Sequence, residues 1–277
     1  MASSVQEVWE YRALVANLAR RQLKSEYKRD LLGASWSLLN PLLNLAILSL
    51  VFGTILNFGE NIPDLGDRGS GIFALFLFAG LIPFTMWRRI TVGSISSLKG
   101  ASSLLRKVYF PPDVSLISFT LVQMRQAFFE GIILVSIVAL LGEWSWWILL
   151  WPLLLPFVAM FALGLGYMLS LLAAYYADVQ YLVEHMMQLM FYLTPIIFSI
   201  QRFEPPNVEP EIFGVGIITL LNFNPLTSFV GVSRDLVYVH QMPDLTSLLI
   251  VLVISPLTLF IGFNVFKYFG RDVAEEL

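Results

Sequence analysis

Arg20-Arg21-Gln22-Leu23-Lys24-Ser25-Glu26-Tyr27-Lys28-Arg29-Asp30-Leu31-Leu32-Gly33-Ala34-Ser35-Trp36-Ser37-Leu38-Leu39-Asn40-Pro41 decides the fold class, because a cationic segment runs straight into an apolar one. Residues 31–59 are 29 positions without a charge, and six basic residues (Arg12, Arg20, Arg21, Lys24, Lys28, Arg29) precede them. A hydrocarbon core takes about 20 mostly apolar residues of helix. Lys and Arg gather on the cytoplasmic flank of such a span. The junction therefore reads as an internal membrane anchor that starts inside. It lacks the short apolar core and small-residue cleavage site of a removable leader.

Composition agrees. The 277 residues are 57% hydrophobic and 13% charged, against roughly 25% charged in soluble domains. Mean hydropathy is +0.74. Cysteine is absent, which excludes disulfide frameworks and thiolate metal sites. A net charge of −3 gives no reason to expect a nucleic-acid partner.

Charge-free runs occupy 31–59, 69–87, 144–177, 186–201, 212–233 and 245–266, and 114–142 is apolar except for Arg125 and Glu130. Arg88, Arg89, Lys99, Arg106 and Lys107 follow the second run, and Lys267 and Arg271 follow the last. The segments holding Glu60, Asp64 and Asp67, and Glu204, Glu209 and Glu211, are acidic instead. This bias puts both termini and the 88–113 loop inside, so the number of crossings is even. The run 212–233 carries Asn222-Phe223-Asn224-Pro225 in its middle, a turn signal that frees backbone groups. It is expected to form two short helices dipping in and out on the external side; the alternative is one kinked crossing.

The fold class expected is an all-α membrane protein of six transmembrane helices, roughly 35–57, 71–97, 114–141, 147–176, 181–200 and 246–268. It is one polytopic unit over 1–277. Residues 1–33 supply a cytoplasmic interfacial helix, and 35–200 carry spans one to five. The external loop 201–244 holds the re-entrant hairpin, 246–268 is span six, and 269–277 is a cytoplasmic tail. In the first helix Val8, Tyr11, Val15 and Leu18 share an arc opposite Arg20, Arg21, Lys24 and Lys28, the pattern of a helix in the membrane interface. A soluble helix capping the first span is the other reading.

Absences narrow the function. There is no Gly-Lys pair and so no P-loop. His185 and His240 stand apart without cysteine support, which argues against zinc. A G-x-S-x-G elbow is missing. Few ionisable groups lie within spans, and the halves do not repeat, unlike an ion-coupled carrier. Uphill movement would draw its energy from another subunit.

Tyr27-Lys28-Arg29-Asp30-Leu31-Leu32-Gly33-Ala34-Ser35-Trp36-Ser37-Leu38-Leu39-Asn40-Pro41-Leu42 resembles the approach to the first span in permeases of bacterial polysaccharide ABC exporters. These type-two ABC permeases export O-antigen, teichoic acid, capsule or cell-wall galactan. Leu104-Leu105-Arg106-Lys107-Val108-Tyr109-Phe110-Pro111-Pro112 is similar to their first cytoplasmic coupling segment. Tyr176-Ala177-Asp178-Val179 through Phe191-Tyr192-Leu193-Thr194-Pro195-Ile196 resembles the turn into their fifth span. Asn224-Pro225-Leu226 with Arg234-Asp235 resembles their external re-entrant region, and Ala274-Glu275-Glu276-Leu277 their ending. The likeness covers nearly the whole chain, although Arg88-Arg89 is more basic than the family pattern.

The resemblance implies a homodimer joined to two copies of a separate ATP-binding-cassette ATPase. ATP and magnesium would bind that partner, and this chain would hold no cofactor and catalyse no reaction. The substrate implied is a polyprenyl-diphosphate-linked polysaccharide, moved from cytoplasm to exterior across the bacterial plasma membrane. Rival readings are a type-two ABC permease for a drug or lipid, and a membrane-embedded glycosyl- or acyltransferase.

Two cytoplasmic segments are expected to dock on the ATPase. One is Leu104 with Arg106, Lys107, Val108, Tyr109 and Phe110, an aromatic knob with a charged rim. The other is the acidic turn of Asp178 and Glu184. Candidates for the substrate path are Arg20, Lys24, Arg88, Arg89, Trp87, Arg125, Glu130, Phe191 and Tyr192. Arg125 and Glu130 lie about 140° apart on a helix and cannot readily pair with each other. Glu130 is expected either to pair with Arg88 or Arg89 across helices or to line the path. Sugars stack on aromatic faces, yet Phe fills cores and Trp marks interfaces, so each aromatic taken singly reads first as structural. Trp144, Trp146 and Trp147 read as an external interface belt.

Overall fold

The computed structural model describes residues 10–26, 33–57, 70–105, 110–142, 144–200, 211–212 and 215–270. The junction 27–32, the acidic segments 58–69 and 201–210, the coupling residues Arg106, Lys107, Val108 and Tyr109, and the tail 271–277 lie outside the described residues. Nine helices carry the described chain: α1 (Arg12–Glu26), α2 (Trp36–Leu48), α3 (Ser70–Leu105), α4 (Asp113–Leu140), α5 (Leu154–Tyr175), α6 (Val179–Leu193), α7 (Ile217–Phe223), α8 (Pro225–Arg234) and α9 (Leu245–Phe269). A π-helical turn, Ser49–Ile55, continues α2, and a 3-10 segment, Trp146–Leu153, leads into α5. The strands β1 (Glu211–Ile212) and β2 (Val215–Gly216) pair antiparallel, Glu211 opposite Gly216.

Among the described residues five segments are long and apolar enough to cross a membrane: Trp36–Ile55, Phe73–Ser102, Asp113–Leu140, Trp146–Tyr175 and Leu245–Phe269. Their helices satisfy their own backbone groups, which lipid requires. The α3 segment is the hub, 78% buried, whereas the α2 and α9 segments are only 17% buried and turn most of their apolar surface outward. Phe73, Leu77, Ile82, Ile90 and Leu98 of α3 are wholly enclosed. Small residues let the hub be approached closely. Gly166 of α5 stands against Ser94, Gly93 of α3 against Phe119, and Gly131 of α4 against Trp151.

Two prolines inside helices are answered by side chains from elsewhere. A proline has no N–H for the carbonyl four residues back. Pro83 of α3 releases the Ala79 carbonyl, and the Ser233 hydroxyl donates to it at 2.5 Å. Trp151 Nε1 donates in turn to Ser233 Oγ at 2.8 Å. Pro41 of α2 releases the Ser37 carbonyl, and Gln126 Nε2 of α4 donates to it.

Four expectations need correction. The second span, expected to end at residue 97, continues as helix through Leu105 into the segment expected as a cytoplasmic loop, with Arg88 and Arg89 mid-helix inside it. The fifth span expected over 181–200 is the 15-residue α6, ending at Leu193. Pro195 disfavours helix at the residue before it, and the Pro195 and Ile196 carbonyls accept from Arg234 instead. The apolar arc of α1 does not face only lipid: Val15 packs with Phe110 and Val114 at the foot of α4. Phe110, expected to dock on the ATPase, is therefore 3% exposed beneath α1. The break expected at Asn224 is present, with the Asn224 side chain accepting from Leu226 N at 3.0 Å and Pro225 opening α8. Trp144 and Trp146 are exposed, and Trp147 is half-buried.

Candidate functional site: a polar cavity between α2, α3 and α4

An open cavity of about 660 Å³ is lined by Trp36, Ser37, Asn40 and Asn44 of α2, by Thr85, Arg88, Arg89 and Gly93 of α3, and by Phe119, Gln123 and Gln126 of α4, with Glu184 of α6. Amides, hydroxyls and arginines at this depth are unusual in a chain so apolar. Polar groups within spans collect where protein or water satisfies them, which makes them functional candidates.

The two arginines have different situations. Arg89 Nη1 meets Glu130 Oε1 at 2.7 Å, joining α3 to α4. Glu130 is 1% exposed, and Gln126 Nε2 also approaches its Oε1 at 3.1 Å. A buried carboxylate needs this company, since removing one partner of such a pair leaves an uncompensated charge. Gln126 thus stands between the ion pair and the carbonyl that Pro41 released, tying α2, α3 and α4 together at the cavity. Arg88 is exposed at the cavity and forms no ion pair among the described residues.

Glu184 is approached by Gln180 Nε2 at 3.3 Å, and Lys99 Nζ donates to Gln180 Oε1 at 3.3 Å. This short relay links α6 to α3 below the cavity. Ser97 and Ser115 form a second clasp, with their hydroxyls 2.9 Å apart and each hydroxyl donating to the other's carbonyl.

The structure therefore brings Arg88, Arg89, Glu130 and Glu184 together, and Glu130 takes Arg89 of the two possible partners. Other candidates lie elsewhere. Trp87 is 4% exposed, in the core between Phe84 at 5.5 Å and Phe161 at 6.4 Å. Phe191 packs on Phe84, and Tyr192 beside it is exposed. Arg125 faces outward with its guanidinium 5.2 Å from the centre of the Phe129 ring. Arg20 is exposed on α1 and Asp178 just before α6, while the side chains of Lys24 and Leu104 lie outside the described residues.

The cavity amides Asn40, Asn44, Gln123 and Gln126 went unnoticed in the sequence. Gln126 had a signal, being four residues before Glu130 on the same helix face. The need it meets, four residues before Pro41, was equally legible. Arg234 was noticed only as part of a resemblance. It is 8% exposed, lies 3.5 Å from the centre of the Phe76 ring, and donates to the carbonyls of Phe76, Pro195 and Ile196.

Against known proteins, residues 13–238 match the family described as ABC-2 type transporter. The O-antigen export system permease protein RfbA of Myxococcus xanthus is 25% identical over 278 residues, covering 100% of each chain. A protein of the same name from Klebsiella pneumoniae is 28% identical over 80% of this chain and 79% of its own. The polysialic acid transport protein KpsM of Escherichia coli is 24% identical over 91% and 92%. The matched family is the membrane permease alone; such permeases pair with ATPase subunits, and ATP hydrolysis lies in that partner. With five apolar spans and a family match over most of its length, the chain is a multi-pass membrane permease and belongs to the ABC-2 type transporter family.

Proposed function

We propose that the chain is the transmembrane subunit of an ATP-driven exporter that carries a polyprenyl-diphosphate-linked polysaccharide out of the cytoplasm. The observation that carries this reading is the end-to-end alignment with an O-antigen export permease. The cavity supports it chemically. Amides and hydroxyls suit a substrate rich in hydroxyl groups, which need polar partners away from water. The guanidinium of Arg88, not engaged by a carboxylate among the described residues, suits a phosphate through its planar donors.

The working unit is a homodimer with two ATPase subunits, in the bacterial plasma membrane with both termini inside. Six crossings form the frame: the five long apolar segments and α6 with the residues after it, while α7 and α8 form a hairpin re-entering from outside. The cationic approach to α2 and the acidic segments around Asp64 and Glu209 support this orientation. The ATPase docks on Arg106, Lys107, Val108 and Tyr109 and on the exposed Asp178. Phe110 serves that contact indirectly, by anchoring α1 on α4.

The two arginines give the experiment. The permease, purified with its ATPase and reconstituted with the lipid-linked glycan of its own cell, should hydrolyse ATP faster when that glycan is present. Arg88→Gln is expected to remove most of the stimulation, roughly tenfold for the loss of a charge-assisted contact, and to leave basal hydrolysis intact. Arg89→Ala should instead lower thermal stability by stranding Glu130, and adding Glu130→Gln should restore it. Full stimulation in Arg88→Gln would remove the cavity from the substrate path. Purification without any ATP-hydrolysing partner would contradict the export reading itself.

A further inference from the structure

We propose that the outward face of α4 carries a binding site for the phosphate of an anionic phospholipid of the cytoplasmic leaflet, with Arg125 as its receptor. The proposal rests on the orientation given above, in which the Asp113 end of α4 is cytoplasmic. Leu121, Arg125, Phe128, Phe129 and Ile132 form one exposed stripe. Four of these are apolar, as a lipid-facing surface should be. The fifth is a full positive charge.

Arg125 stands 12 residues beyond Asp113, about 18 Å along the helix. The first turns of α4 are already covered by α1 through Val15, Phe110 and Val114. A charge at such depth needs a counter-charge or water. Among the described residues Arg125 has no carboxylate partner. Glu130 lies about 140° around the helix and is held by Arg89 on the cavity side. The guanidinium carbon lies 5.2 Å from the centre of the Phe129 ring, a cation–π contact that holds it beside the helix. Arg125 is exposed, and the planar N–H donors of a guanidinium match two phosphate oxygens. Helical side chains lean toward the N-terminus, so the group reaches toward the inner headgroups.

A phosphate could come from a phospholipid or from the diphosphate of the transported lipid. The placement favours the phospholipid, because Gln123, Gln126 and the cavity occupy the opposite side of α4.

The test uses the full chain in nanodiscs of phosphatidylcholine alone, or of phosphatidylcholine with phosphatidylglycerol. Native mass spectrometry reads the retained lipids, and thermal melting reads stability. Wild type should retain phosphatidylglycerol in preference to phosphatidylcholine and melt higher when it is present. Arg125→Gln should lose that preference, roughly tenfold for one charge-assisted contact, and should melt like wild type in phosphatidylcholine alone. Glycerol 3-phosphate in solution, which lacks acyl chains, should not replace the lipid.

Three results would overturn the site. One is equal retention of phosphatidylglycerol by Arg125→Gln; another is a lowered melting point of that variant in phosphatidylcholine alone. The third is displacement of phosphatidylglycerol from wild type by added undecaprenyl diphosphate, which would assign the residue to the substrate. The export reading is unaffected by any loss of lipid preference, and failure of export would leave the lipid preference of the chain unchanged.

Discussion

Arg234→Met is expected to leave the protein unable to hold its fold in mild detergent. The guanidinium ties three parts of the chain: α8, which carries it, the Phe76 carbonyl of α3, and the Pro195 and Ile196 carbonyls beyond α6. The Phe76 carbonyl keeps the Gly80 N–H of its own helix, but the Pro195 and Ile196 carbonyls lose their donor at roughly 1–3 kcal/mol each, about 2–6 kcal/mol together. A domain has only about 5–15 kcal/mol in hand. Arg234→Lys should recover part of the loss, because an ammonium can donate but lacks the planar fork that reaches separate acceptors. Thermal melting of the purified variants checks this. A wild-type melting point for Arg234→Met would show that the carbonyls find other donors.

Gly262→Leu is expected to be equally damaging, for a steric reason. At the crossing of α5 and α9 a side-chain carbon on Gly262 would drive into the Gly164 carbonyl, and one on Gly164 into the backbone of Thr258. Backbone meets backbone there, so no rotamer can yield. Overpacking costs about 1–3 kcal/mol where side chains can shift, and more is expected where they cannot. Gly231→Ala of α8 is the control: a side-chain carbon there meets nothing within 4 Å, and its effect should stay within about 0.5 kcal/mol. Comparable melting of the two variants would mean that α9 can move away from α5 without loss.

The spans were legible because each must be apolar and charge-free over a length that lipid dictates. The break at Asn224 was legible because Pro225 cannot continue a helix and Asn224 caps the next. The shortness of α6 was half legible: Pro195 was visible, but the Arg234 that holds its carbonyl lies 39 residues away. Phe110 misled because an aromatic residue between charges and prolines looks like an exposed knob. Only the packing of α1 on α4 buries it, and periodicity within α1 could not distinguish a lipid surface from a protein one.

Site residues were legible as charges and not as amides. Glu130 could be expected to seek an arginine, since a buried carboxylate must. That Arg89 and not Arg88 would answer depends on 100° of helix rotation relative to a neighbour, which requires tertiary structure. Asn40, Asn44 and Gln123 carry no pattern in the sequence. They become a site only when α2, α3 and α4 enclose a common space.

The central claim is that this chain carries lipid-linked polysaccharide out of the cytoplasm, and the location of that polysaccharide tests it most directly. In cells depleted of the chain, the account predicts that surface polysaccharide falls while its lipid-linked form accumulates on the cytoplasmic side of the membrane, protected from an externally added glycosidase. Restoring the wild-type chain should return it to the surface, and the Arg88→Gln chain should do so poorly. Polysaccharide that still reaches the surface in depleted cells, or a lipid-linked form that fails to accumulate inside, would contradict the account.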